Sequence, residues 1–252
     1  MRIARMRIAM TRFAGVTLIG AILLVSPPVV RAQTSGQDSA STLSRDDSAS
    51  ASDVKGAIAD SLRLLFIEHT TRILFQEKTR RELGGPFFAD YVRSLHVPRT
   101  WGDGDRWGVN YIGHPIHGAA AGFIWLNNEP GSHDPELGFS KAYWASRARA
   151  TAWAAAYSLQ FEVGALSEAS IGNVGMRPGT AGWVDHVMTP VGAFGFMVAE
   201  DVIHRHVLTR LESWTDNRLV RAVSRTLINP SRTLSYAAQG QMPWARQTGP
   251  GR

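Results

Sequence analysis

Cysteine is absent from the 252 residues. Disulfide frameworks and thiolate chemistry are therefore excluded, and a hydrophobic core has to hold the fold. Once the flanking segments are set aside, about 200 residues remain, enough for one sizeable core. Long apolar runs are also missing. After residue 32 the longest uncharged one, residues 187–199, has 13 positions, short of the roughly 20 that a membrane span needs. No alternating strand pattern and no repeat of fixed period appears. There is no G-x-S-x-G, no H-E-x-x-H, no P-loop and no dinucleotide fingerprint.

Acidic residues are missing from residues 1–32, where five of the 27 Lys/Arg lie. The remainder carries 22 basic and 21 acidic groups, a net of +1, so the overall +6 does not point to a nucleic-acid partner. Arg2, Arg5, Arg7 and Arg12 precede an apolar stretch at residues 13–25, and Val30-Arg31-Ala32 follows as a small-residue cleavage pattern. Residues 1–32 read as a secretory signal peptide, cleaved rather than retained as an anchor. The chain is then exported to the periplasm or cell envelope. No Cys follows the apolar stretch, which rules out lipoprotein processing.

What is present divides the chain further. Residues 33–55 are rich in Ser, Ala and Asp, too polar to offset chain entropy by burial, and are expected to be a disordered tether. A single helical domain is expected over residues 56–245, with a disordered tail at 246–252. Leu62/Leu65/Phe66/Ile73 and Leu64/Ile67/Leu74/Phe75 form two stripes on a first helix over residues 58–83, which predicts burial on more than one side, and Gly84-Gly85-Pro86 ends it. Further helices are predicted over about 115–126, 140–163 and 184–215, and a fifth from a cap at Asp216 to the Asn229-Pro230 break. Residues 164–182 read as a Gly-rich loop. Gly118/Ala121/Gly122, Ala148/Thr151/Ala155/Ser158 and Gly192/Gly195/Ala199 repeat at helical spacing, and such small residues let helix backbones approach closely. The expected fold is all-α, a compact bundle of about five helices with small-residue packing stripes.

The densest polar motif is Asn110-Tyr111-Ile112-Gly113-His114-Pro115-Ile116-His117-Gly118. Pro115 fits the first helical position, so His114 is expected at or before the N-cap and His117 in the first turn. There the helix dipole favours neutral imidazole, suited to a base, an electrophile or a metal ligand. The plainer alternative is that both rings fasten the loop–helix junction together with Asn110. Glu162 and Glu200 are carboxylates on otherwise apolar helices. Asp201 and His204 stand at i, i+3, and Glu200 and His204 at i, i+4, spacings that can converge on one ion. Asp185 reads as a first-turn acid. Residues 103–108 imitate a calcium loop but lack its ligand set: Trp107 stands at a ligand position and His114 where a bidentate Glu is needed. Ser167 and Ser170 lie near Glu162 and Glu168, with nothing to mark either as a nucleophile.

The elements Asn110-Tyr111-x-Gly113-His114-Pro115-x-x-Gly118, Glu162, Asp185-x-x-x-Thr189-Pro190-x-Gly192 and Glu200 are similar to those of a bacterial family of exported proteins classed as a domain of unknown function. The resemblance covers roughly residues 100–205. It implies an exported envelope protein with helices at a membrane, and brings no reaction or ligand with it. Two expectations stand. The first is a membrane-associated cell-envelope protein with a polar pocket formed by Asn110, Tyr111, His114 and Asp185, without an assigned reaction. The second is an envelope hydrolase acting on a lipid or phosphoester through His114, His117, Glu162 and Glu200. His114, His117, Asp201 and His204 are the candidate metal ligands. No cofactor is required by the sequence, and a membrane lipid or envelope protein is the expected partner.

Overall fold

The computed structural model describes residues 53–129, 137–171 and 181–245. The expected signal peptide, nearly all of the expected tether, the 246–252 tail and part of the Gly-rich loop lie outside these residues. Within them the fold is all-α, and the β-geometry is a single isolated bridge between Thr100 and Gly182.

Helix α1 (Val54–Phe75) begins two residues before the expected boundary, because Asp53 caps it by accepting the Gly56 N–H at 2.8 Å. Its two stripes are not both buried. Leu64 and Leu65 face the core with Ala57, whereas Leu62, Phe66, Leu74 and Phe75 are exposed. The expected single helix to residue 83 is broken where Gln76 turns extended, giving α2 (Glu77–Glu82). After Gly84-Gly85-Pro86 comes α3 (Phe87–Ser94).

A π-helical turn (Val109–Gly113) then runs directly into α4 (His114–Asn128). His114 is helical itself, at φ −62 and ψ −43, and its N–H reaches back to Val109 O. The expectation that His114 stands outside the helix is thus overturned. Proline lacks an N–H and crowds the preceding turn. The wider i→i+5 turn absorbs that defect without ending the helix. His114 and His117 therefore lie beyond the first winding, not at a free helix N-terminus.

Helix α5 (Lys141–Val163) is capped by Ser140, whose hydroxyl accepts the Tyr143 N–H at 3.1 Å. Helix α6 (Trp183–Ile203) passes through Pro190 and continues as a second π turn (His204–Leu208) into α7 (Thr209–Trp214). Helix α8 (Arg218–Ile228) is capped by Asn217, not Asp216, since Asn217 Oδ1 accepts from the N–H groups of Leu219 and Val220. Pro230 opens a further helix, α9 (Pro230–Ala238), with Pro at its start where the missing N–H costs nothing.

Helix α4 is the hub, packed by α1, α5, α6 and α9. The small stripes explain its closeness to α6. A Cβ on Gly118 would stand 2.5 Å from Thr189 O, one on Gly122 would stand 2.5 Å from Met197 Sδ, and one on Gly192 would collide with Pro115. Ala119, Ala120 and Ala121 are fully buried between the neighbouring helices. None of the described helices is long and apolar enough to cross a membrane.

Candidate functional site

The tight α4–α6 contact brings three chain segments together at one end of the bundle. His114 opens α4, Glu162 stands in the last turn of α5, and Asp185 in the first turn of α6. One ligand atom from each lies within 4.8 Å of the other two. His114 Nε2 is 3.3 Å from Asp185 Oδ1, and Nδ1 is 3.9 Å from Glu162 Oε1. All three are buried, at 5%, 2% and 5% exposure for His114, Glu162 and Asp185. Glu162 Oε1 and Asp185 Oδ1 make no hydrogen bond. A buried carboxylate oxygen without a partner is costly in a folded protein, and its presence asks for a proton or a cation.

Burial sets the protonation of the trio. Desolvation pushes Asp185 up to about 9, helped by the negative charges of Glu162 and Asp103. It pushes Glu162 up to about 7, opposed by the Arg72 guanidinium. It pushes His114 down to about 3, helped by His117 and Arg72. The imidazole is therefore neutral, with one ring nitrogen protonated and the other carrying a free lone pair. Thr189, one turn after Asp185, shares a 3.3 Å hydrogen bond with His114 Nδ1, leaving Nε2 as the nitrogen beside Asp185. A partner on the far nitrogen is what orients a metal-ligating imidazole.

The surroundings are specific. The loop before the π turn lies across the end of α6: Trp183 and Val184 donate to the carbonyls of Thr100 and Trp101 at 3.1 and 2.8 Å. Gly182 permits this, since a Cβ there would stand 2.5 Å from the carbonyl carbon of Gly102. Asp103, in the rejected calcium loop, accepts from Asn110 Nδ2 at 2.7 Å and raises the Asp185 pKa through charge and a hydrogen bond. Tyr111 belongs to an outer aromatic group. Its hydroxyl accepts from Trp101 Nε1 at 2.9 Å, and its ring stacks on Trp107. Arg72 is ion-paired with Glu168 and lies over the Phe161 ring.

His117 stands beside the trio, its ring centroid 6.0 Å from that of His114. It is not part of the ligand set. Its Nδ1 donates to Glu68 Oε1 at 2.8 Å, and Glu68 Oε2 accepts from the Tyr157 hydroxyl at 2.9 Å. Its Nε2 is buried without a hydrogen-bond partner. Ser167 and Ser170 bond reciprocally through backbone and hydroxyl groups, closing a turn.

Glu200, Asp201 and His204 do not join this site. They lie 15 or more residues further along the chain from Asp185, about 22 Å at 1.5 Å per residue. Glu200 accepts the Ser231 and Arg232 N–H groups, both at 2.9 Å, and so caps α9. Asp201 accepts from the Tyr143 hydroxyl at 2.8 Å, from Arg147 at 2.8 and 2.6 Å, and from Arg232. The expectation that Asp201 or Glu200 shares an ion with His204 fails, because two arginines and a helix start already occupy those oxygens. The four-residue set His114, His117, Glu162, Glu200 fails with it. Asp185, read as a first-turn acid, does sit in the first turn, but aims its carboxylate at His114.

Several site residues carried little signal in the sequence. Glu68 and Arg72 lie on the helix that was read only for its two apolar stripes. Thr189 was marked only through the Thr-Pro element, and Asp103 only as part of a failed calcium loop. The described residues contain one group of three that fits a cation: His114, Glu162 and Asp185. No family model, no curated protein and no solved structure matches the chain, so the site rests on its own geometry.

Proposed function

We propose that this chain is an exported cell-envelope protein that binds one divalent transition-metal ion through His114, Glu162 and Asp185, and that the ion activates water for hydrolysis of an envelope lipid ester or phosphoester. The observation that carries the metal is the convergence of three buried ligand atoms, two of them carboxylate oxygens with no hydrogen bond. The 3.3 Å between His114 Nε2 and Asp185 Oδ1 matches the edge of a tetrahedron whose ligands sit about 2.1 Å from a central ion. One imidazole with two carboxylates suits Zn²⁺ or Mn²⁺ better than a soft ion. Three protein ligands leave a coordination position for water, the pattern of catalytic rather than structural zinc sites.

When bound, such an ion supplies Lewis acidity and lowers the pKa of its water. The chain's own residues do the rest. Thr189 holds the His114 tautomer, Asn110 holds Asp103 beside Asp185, and the loop over Gly182 limits water. His117, oriented by Glu68, offers a further ring nitrogen beside the trio.

Burial favours a second reading, a metal that fastens three helix ends without chemistry. The two separate in one set of measurements on the purified exported chain. Native mass spectrometry and elemental analysis should give one metal per chain, lost in His114→Ala and Asp185→Asn variants that keep their helical content. Substoichiometric metal, with no thermal shift on adding Zn²⁺ or Mn²⁺, would overturn the site. Metal-dependent turnover of generic ester or phosphodiester substrates supports the hydrolase; full metal occupancy without turnover leaves the fastener.

A further inference from the structure

Helix α8 is amphipathic in the reverse sense. In a globular bundle the apolar stripe of such a helix faces the core and its charges face water. Here Arg221 and Arg225 are turned inward, 5% and 6% exposed, and both pair with Glu212. Arg225 also donates to the carbonyls of Pro243 and Ala245. On the opposite side Leu219 (71%), Val220, Val223 and Leu227 (60%) are exposed. At 100° per residue these four span an arc of about 100° centred away from the two arginines. Trp214, 82% exposed, lies just before the helix.

An apolar arc of this width is not stable against water for its own sake. Leaving Leu219 and Leu227 outside while burying two arginines makes physical sense only if the outside is not bulk water. The exposed charges near the arc in the sequence say what it is. Between residues 205 and 227 the exposed ionisable groups are Arg205, His206, Arg210 and Arg218, with Asp216 the one exposed acid. Arg205 holds the Leu137 carbonyl, and its charge remains. A second copy seated on this face would set like charges against each other, which is unfavourable. An anionic bilayer meets both features, accepting the apolar arc at its acyl boundary and the arginines at its headgroups. Trp favours that same boundary. No described helix is long and apolar enough to span, so the contact is with the surface.

We propose that α8 is a membrane-surface anchor: Leu219, Val220, Val223 and Leu227, with Trp214, seat on an anionic lipid bilayer, and Arg205, Arg210 and Arg218 engage its headgroups. The anchor is independent of the metal site and stands or falls without it.

The test is co-flotation of the purified exported chain with phosphatidylcholine vesicles, with and without about one third phosphatidylglycerol. The wild type should float with the anionic vesicles and release as salt rises. Leu219→Ser/Leu227→Ser should lower partitioning on the order of tenfold or more, with an unchanged melting curve, since both side chains lie outside the core. Arg210→Glu/Arg218→Glu should abolish the preference for anionic lipid. Two results overturn the anchor: a wild type that stays with the unbound fraction for both vesicle types, or a serine variant that floats as well as the wild type. A concentration-dependent dimer that the serine variant disrupts, with no flotation, would assign the face to self-association instead.

Discussion

Two buried polar clusters sit at opposite ends of α6, and they are built on opposite principles. At the far end, Asp201 is surrounded by Tyr143, Arg147 and Arg232, and Glu200 closes the start of α9. Both Asp201 oxygens accept hydrogen bonds, and Arg147 is the largest fully buried side chain of the described residues. At the near end, His114, Glu162 and Asp185 lie as deep, yet Glu162 Oε1 and Asp185 Oδ1 make no hydrogen bond. Their carboxylates separate them: all four oxygens of Glu200 and Asp201 accept hydrogen bonds, although Arg232 Nε and Ser231 Oγ make none. A satisfied network rigidifies a fold, whereas an unsatisfied one of the same depth is held in place by the rest of the structure and waits for something to bind.

The contrast can be broken at the far end first. Asp201→Ala strands two buried guanidinium groups. Removing one partner of a buried pair costs about 3–5 kcal/mol, much of it the desolvated charge left behind. Chemical denaturation of the variant should show that loss in full. If it costs less than about 1 kcal/mol, the far cluster behaves like an exposed pair, and the distinction between the two ends collapses.

The near end should respond with the opposite sign. Without metal, Glu162→Gln removes a carboxyl whose charged form burial already disfavours, so stability should be unchanged or higher. With metal the order reverses. Saturation at about a hundred times Kd adds about 2.7 kcal/mol to the wild type, and the Gln variant should lose most of that gain. Melting curves with and without Zn²⁺ read both arms. A Gln variant that is destabilised equally in the two conditions would make Glu162 an ordinary structural residue.

Acid sharpens the far end again. His204 is pushed down to about 4, first by burial and then by Arg232 and Arg225, with Glu212 and Asp201 pulling the other way. Its folded pKa lies below its unfolded one, so its contribution to stability is whole above about 6.5 and is lost as pH falls toward 4. A His204→Asn variant should therefore show a flatter fall in melting temperature across that window than the wild type. An identical slope would mean that His204 opens to solvent before it titrates.

Much of the architecture was legible because helices announce themselves locally. The all-α class, a domain start two residues from the observed one, the break at Gly84-Gly85-Pro86 and the close packing of Gly118 and Gly122 all follow from spacing and residue size. The His114 motif was legible as a polar corner, and Glu162 and Asp185 were both marked as acids of interest. Their convergence was not, because it depends on which ends of three helices meet, and no local pattern states that. Glu200 and Asp201 were misplaced for the same reason: their partners Ser231, Arg232 and Arg147 are 31 to 54 positions away. The fate of His114 needed something else again, a π turn that lets a helix run through a proline.

Capping offers the smallest effect and the most direct comparison of sequence with structure. Asp216 and Asn217 are adjacent, and either residue type caps well in isolation. Only the second places its side-chain oxygen against the N–H groups of Leu219 and Val220, at 2.9 and 3.3 Å. Asn217→Ala should therefore cost about 1 kcal/mol, the usual loss for an N-cap, and Asp216→Ala clearly less. Helix α8 also carries the inward arginines that hold Glu212, so a frayed start should loosen that ion-paired face before the helix as a whole. Hydrogen exchange at Leu219 and Val220 should rise in the Asn217 variant alone. If exchange rises in both variants, the α8 start is held by the pair together, and the one-residue shift from Asp216 to Asn217 loses its meaning.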